Sequence, residues 1–157
     1  MNRSRGFSLV ELLVVLAVIA VAAAIVTPNL LSWRSNAKLR GAVDNLMGDL
    51  EMAKIRAIKE NNNVAVLFNP TGYRVFVDKD GSWVRDADER LLRVRKLPAG
   101  VKFDLGHANW GFTGNRTRFN SRGRAASAGT AVIVNQKGQQ RDVVVSTLGR
   151  IRFEKIE

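Results

Sequence analysis

The chain has no cysteine, so whatever core it builds is held without disulfides; by itself this says nothing decisive about redox compartment. Histidine is nearly missing too. His107 is the only one, set in a Gly/Asn-rich stretch with no acidic partner beside it, and reads as a lone loop imidazole. The serines fall in turn-like and strand-like segments without a nucleophile motif. No enzyme is indicated, and no cofactor or metal centre is expected. Repeats and low-complexity tracts are absent, and the 157 residues suit one domain. Acidic residues are scarce: 14 Asp and Glu face 25 Lys and Arg, leaving a net charge of +11 and a pI near 11.1. Such a chain attracts polyanions, whether nucleic acid, acidic lipid or an acidic protein surface.

What is present begins with "RGFSLVELLVVLAVIAVAAAIVTP", Arg5 to Pro28, in which Glu11 is the one charged side chain between Phe7 and Val26. The apolar run is roughly 20 residues, enough to span a bilayer and longer than the core of a cleaved secretory signal. Arg3 and Arg5 precede it, so the positive-inside rule keeps that end cytoplasmic and sends the rest of the chain outward. A carboxylate at a bilayer centre costs roughly 2.5–3.5 kcal/mol on insertion scales, so Glu11 needs a reason. An ordinary signal anchor would tolerate it near the helix end.

From Leu30 to about Glu60 the chain turns amphipathic. Leu39, Val43, Leu46, Leu50, Ala53 and Ala57 recur at steps of four and three, which places them on one helix face. "ENNN" at 60–63 ends that pattern with poor helix formers. One nearly continuous helix over this span would be about 80 Å long, its first half in the membrane and its second half packed on a domain.

After Asn63 the period becomes two. "VAVLF" and "YRVFV" flank the turn-rich "NPTG" and read as a hairpin; "RLLRVRKL", "VKFDL", "TAVIVN", "RDVVVST" and "RIRF" are further strands. Gly106 to Gly129 is expected to hold long loops or edge strands. Strands after one long helix indicate an α+β fold with antiparallel sheet packed on the helix. The expected divisions are 1–6, 7–28 (transmembrane), 29–63 (amphipathic helix) and 64–157 (β-rich domain).

Two constellations carry possible chemistry. Asp78, Asp80, Ser82, Asp86 and Glu89 take the first, third, fifth, ninth and twelfth places of a calcium-type loop, but Trp83 stands where such a loop needs glycine. A polar hairpin loop is the better reading. The second is basic: from Arg116 onward nine Lys and Arg face three acids, and seven of the nine are arginine, whose fork suits phosphate. Arg116 with Arg118, Arg122 with Arg124, and Arg150 with Arg152 are each two apart, which on a strand means one face. Converged, they would form a phosphate-tracking stripe with sequence-independent, salt-sensitive binding. Arginines on an edge strand also simply deter aggregation, and anionic headgroups are another target.

The N-terminal stretch resembles the leader and first helix of type IV pilins and of type II secretion pseudopilins: basic residues, Gly6, Phe7, then Glu11 at the fifth place after the glycine. The resemblance implies that a prepilin peptidase cuts between Gly6 and Phe7 and methylates the Phe7 amine. It implies that Glu11 receives the amine of a neighbouring subunit during assembly, and that Pro28 loosens the helix as the family's proline does. The hairpin from Tyr73 to Val94, "FNSRGRAASAG" and "VVVSTLGRIRF" resemble the GspH/FimT family of minor pilins and minor pseudopilins. "GRIR" at 149–152 matches the tail motif of FimT-type minor pilins that bind DNA for uptake. By position, this implies that Gly149 shapes a turn and that Arg150 and Arg152 contact phosphate. Major pilins commonly close a C-terminal loop with a disulfide, which this chain cannot form.

The expected protein is thus a type IV pilin-like minor pilin that binds double-stranded DNA in natural transformation. Its expected partners are other pilins, prepilin peptidase and the inner-membrane assembly platform, with the C-terminal domain periplasmic. The alternatives are a GspH-type pseudopilin of type II secretion, a pilus-priming subunit without a ligand, and a domain whose basic surface serves a protein partner.

Overall fold

A computed structural model describes residues 8–154, and at 25–29 it describes the helical backbone alone. Gly6 and Phe7 lie outside the described residues. The chain divides into two compact units, Met1–Arg34 and Ser35–Glu157. A single long helix, α1 (Leu9–Lys59), contributes to both.

In the first unit the described apolar side chains of α1 are exposed. Leu9, Leu12, Leu13, Val14, Leu16 and Ile19 each expose more than half of their surface, and Glu11 is exposed in the first turn. Such a helix is apolar all round and has no polar face to offer water. Among the described residues, however, no helix is long and apolar enough to cross a membrane, so the span expected over 7–28 is not supported by the structure. The Pro28 side chain, expected to loosen the helix, also lies outside those described.

In the second unit α1 buries the predicted stripe of Leu39, Val43, Leu46, Leu50, Ala53 and Ala57, together with Ala42. Each large side chain so buried contributes about 1.5–3 kcal/mol relative to exposure. The helix ends in a Schellman motif, in which the Asn62 N–H donates to Ala57 O (3.1 Å) and the Asn61 N–H to Ile58 O (3.3 Å). Asn61 takes the left-handed conformation this demands, φ 48°, which asparagine tolerates better than most residues.

Eight strands follow: β1 (Val64–Asn69), β2 (Gly72–Val77), β3 (Leu91–Lys96), β4 (Val101–Phe103), β5 (Arg116–Phe119), β6 (Gly129–Asn135), β7 (Gln140–Val145) and β8 (Ile151–Glu154). They form two antiparallel four-stranded sheets, ordered β3-β2-β1-β5 and β4-β6-β7-β8. The sequence reading spoke of antiparallel sheet without dividing it. The chain first crosses to the second sheet between β3 and β4, where Pro98 and Gly100 (φ 88°) turn it and the Val101 N–H closes the turn on Pro98 O, and it returns once to the first sheet as β5. Inward residues of both sheets, Val66, Phe68 and Val75 from one, Phe103, Ile133 and Val143 from the other, share one core with α1. β5 arises inside the Gly/Asn/Arg-rich segment and pairs with β1 as an edge strand.

A polar cluster joins the helix to the first sheet. Asp49 of α1 is buried and receives the Tyr73 hydroxyl (2.7 Å) and Arg95 Nε (2.8 Å), with Arg93 Nε at 3.3 Å. Burial, reinforced by the bond to Asp49, pushes the Tyr73 phenol well above its ordinary range. The cluster fixes the helix against β2 and β3.

Candidate functional site: two docked arginine turns

Two turns with the same construction meet on the second unit. In the first, the Gly123 N–H donates to Asn120 O (2.8 Å), the Asn120 N–H to Arg124 O (3.0 Å), and Asn120 Oδ1 accepts from the Arg124 N–H (3.1 Å). In the second, the Gly149 N–H donates to Ser146 O (2.9 Å), the Ser146 N–H to Arg150 O (2.9 Å), and Ser146 Oγ accepts from the Arg150 N–H (3.1 Å). Gly123 and Gly149 both sit in the left-handed region, φ 74° and 76°. Each is a three-residue loop closed by a left-handed glycine, with an arginine immediately after it. The signal was present in the sequence as "NSRGR" and "STLGR": a capping side chain, two free positions, glycine, arginine.

The turns dock glycine on glycine. A Cβ built on Gly149 would stand 1.9 Å from Gly123 O, and the Ala125 N–H donates to Thr147 O at 3.1 Å. Beneath them lies α1. Lys54 Nζ, also paired with Glu51 at 2.6 Å, donates to Gly149 O (3.2 Å), and the Ile58 side chain lies against Gly123. Arg122, Arg124 and Arg150 are exposed around this contact, and none forms an ion pair among the described residues. Two docked turns therefore carry three exposed arginines, whose guanidinium forks can donate to anionic oxygens.

The remaining arginines are placed differently from the expected stripe. Arg122 and Arg124 are tip and shoulder of a turn and Arg150 precedes β8, whereas Arg116 and Arg118 stand on β5 and Arg152 on β8, as expected. Arg152 lies 3.9 Å from Glu154, both exposed, a pairing worth little. Arg116 and Arg118 belong to another cluster. Arg118 Nη1 donates to Asp78 Oδ2 (2.9 Å), whose side chain is 0% exposed, and both guanidiniums lie over the Trp83 indole at 4.7 and 4.4 Å. Held by a buried carboxylate and an aromatic face, Arg118 is committed to the fold.

The same cluster accounts for the acidic loop. Asp78, Asp80 and Glu89 bring carboxylate oxygens within 4.8 Å of one another; the other acidic residue of the expected loop, Asp86, is not part of that group. Glu89 accepts from the backbone N–H groups of Lys79 (2.7 Å) and Asp86 (3.1 Å), and Asp80 from that of Ser82 (2.9 Å). The hydrogen bond from Ser82 holds the Asp80 carboxyl below its usual range. Trp83 adopts φ 67°, rare for a bulky side chain, and its N–H reaches Asp78 Oδ1 at 3.4 Å. The carboxylates thus serve as the loop's own hydrogen-bond acceptors. His107 is half-buried, with Nδ1 accepting from the Asn109 N–H at 3.1 Å, which ties it to its own loop.

Comparison with known proteins follows the two halves of the chain. Residues 1–27 match the prokaryotic N-terminal methylation motif. Over 37 residues, 24% of this chain, it is 51% identical to the type IV wide pilus major component PilA4 of Thermus thermophilus; the match spans 28% of that relative's length. Among solved structures, the type IV minor pilin FimU of Pseudomonas aeruginosa superposes with a TM-score of 0.56 at 16% identity, covering 78% of this chain and 92% of FimU. The minor pseudopilin EpsH of the type 2 secretion system of Vibrio cholerae gives 0.56 at 14% identity, covering 75% and 97%. At those identities the likeness establishes the fold. Residues 42–149, more than half of the chain, match the family model described as type II transport protein GspH, and the chain belongs to that family.

Proposed function

We propose that this chain is a minor pilin of a type IV pilus that binds double-stranded DNA nonspecifically, without base-specific contacts, through its two docked turns. In this reading prepilin peptidase cuts between Gly6 and Phe7 and methylates the new amine. The subunit waits at the inner membrane with its C-terminal domain in the periplasm, and an assembly platform passes it into a fibre of pilins. The exposed apolar residues of α1 support an apolar surrounding for that segment, which membrane and fibre interior both provide.

The observation that carries DNA binding is the docking of the Gly123 and Gly149 turns, which bear the exposed Arg122, Arg124 and Arg150, none of them in an ion pair among the described residues. Arg152 lies two residues beyond Arg150 and adds a weakly held fourth cation. There is no groove-reading helix in this arrangement, so contacts go to backbone phosphate and binding is not sequence-specific. A pseudopilin role in type II secretion is the second reading, favoured by the likeness to EpsH.

The test is a mobility shift of a random duplex by the full chain in neutral detergent. Binding should weaken with salt on a log–log slope of roughly −3, as for about three neutralised phosphates. The triple variant Arg122→Gln, Arg124→Gln, Arg150→Gln should abolish it while leaving the circular dichroism unchanged. No shift at low salt would discard the DNA role and leave the secretion reading.

A further inference from the structure

Leu148 holds in the second turn the place that Arg122 holds in the first, directly before the left-handed glycine at the hairpin tip. It is 71% exposed. The turn does not ask for leucine there, because Ser146 supplies the cap and Gly149 both the left-handed backbone and the close approach to Gly123. A single exposed leucine is ordinary on a protein surface. This one projects from turns that also carry the exposed Arg122, Arg124 and Arg150, none of which forms an ion pair among the described residues. Those arginines select a phosphate surface, and on a duplex the low-polarity partners open to an alkyl group are the base faces and edges between the phosphate rows.

Resting on the DNA reading above, we propose that Leu148 is an apolar wedge. With Arg122, Arg124 and Arg150 on phosphates, its side chain enters the groove between them and partly unstacks one base step. Proteins that combine arginine contacts with an inserted leucine kink DNA in this way, and the cost of unstacking depends on the step being opened. The ligand class is therefore duplex DNA that opens easily, at pyrimidine–purine steps such as TA, in preference to stiff A-tracts. Selectivity arises from deformability, with no base-specific hydrogen bond needed.

The experiment uses the full chain in neutral detergent and a duplex of about 20 base pairs carrying 2-aminopurine beside a central TA step. The parent chain should raise the fluorescence of the probe on binding and prefer this duplex over an A-tract of equal length by about tenfold. Leu148→Ser should abolish the rise and level the preference while lowering affinity by no more than about threefold, since the phosphate contacts remain. Leu148→Met should restore both. A silent probe with the parent chain bound, or a rise that survives Leu148→Ser, overturns the wedge and leaves nonspecific binding standing. Absence of any DNA binding overturns both readings. A silent probe together with Leu148-dependent binding to phosphatidylglycerol vesicles assigns the leucine to lipid and overturns the wedge.

Discussion

Gly149 rests so closely on Gly123 that a methyl group on the former would stand 1.9 Å from the carbonyl oxygen of the latter. This contact joins two hairpin turns that are far apart in sequence and brings their arginines onto one patch. It also sets the first expectation. Gly149→Ala adds a backbone clash to a left-handed conformation and should destabilise the fold by about 1–3 kcal/mol, seen as a lower urea midpoint. Gly138 has nearly the same φ, 75°, but open space around it. Gly138→Ala should therefore cost only about 1 kcal/mol. Equal costs would show that conformation and not docking matters at Gly149.

Arg118 and Arg122 should separate stability from binding. Arg118→Gln strands the Asp78 carboxylate, 0% exposed, and should lower stability by about 3 kcal/mol. Arg122→Gln should leave the urea midpoint within about 0.5 kcal/mol of the parent, as for other exposed side chains, yet weaken the DNA shift. A reversed pattern would move the anion site to the Trp83 cluster.

Tyr73 is the chain's one tyrosine, so phenolate absorbance reports a single group. Its phenol is held above the ordinary value near 10 by burial and by Asp49, which means that the folded state retains the proton more tightly than the unfolded state. The associated stability is fully present below about pH 10 and declines as pH rises beyond it. Phenolate absorbance should therefore stay flat through the usual tyrosine range and appear together with loss of circular dichroism. A free titration near pH 10 in the folded protein would contradict the Asp49 bond.

Glu11 stands exposed in the first turn of α1, where its proposed counter-charge is the processed amine of a neighbouring subunit. Glu11→Ala should leave the amount of cell-envelope-associated chain unchanged and sharply reduce its recovery in sheared fibres, by immunoblot. Unchanged recovery would remove that role.

How much of this was legible beforehand differs from element to element. The stripe Leu39 to Ala57 and the hairpin at "NPTG" were readable, because helix and strand periods are local properties of the backbone and of side-chain burial. β5 was foreseen only as a loop or an edge strand: its "RTRF" alternates inward Thr117 and Phe119 with arginines, and the neighbouring glycines and asparagines mask so short a strand. The arginine pairs were identified by residue type but grouped by a spacing rule that holds on strands. Arg122, Arg124 and Arg150 proved to be turn residues, to which the rule does not apply.

The sequence by itself determined the N-terminal methylation motif, the α+β layout and the excess of basic charge, since each rests on neighbouring residues or on composition. Only the tertiary structure decided which arginine-bearing segments meet. Packing both sheets on α1 sets the Gly123 turn against the Gly149 turn, and the same packing draws Arg118 onto Asp78 and Trp83. Contacts between segments distant in the chain depend on how whole sheets stack, and no local pattern encodes that distance.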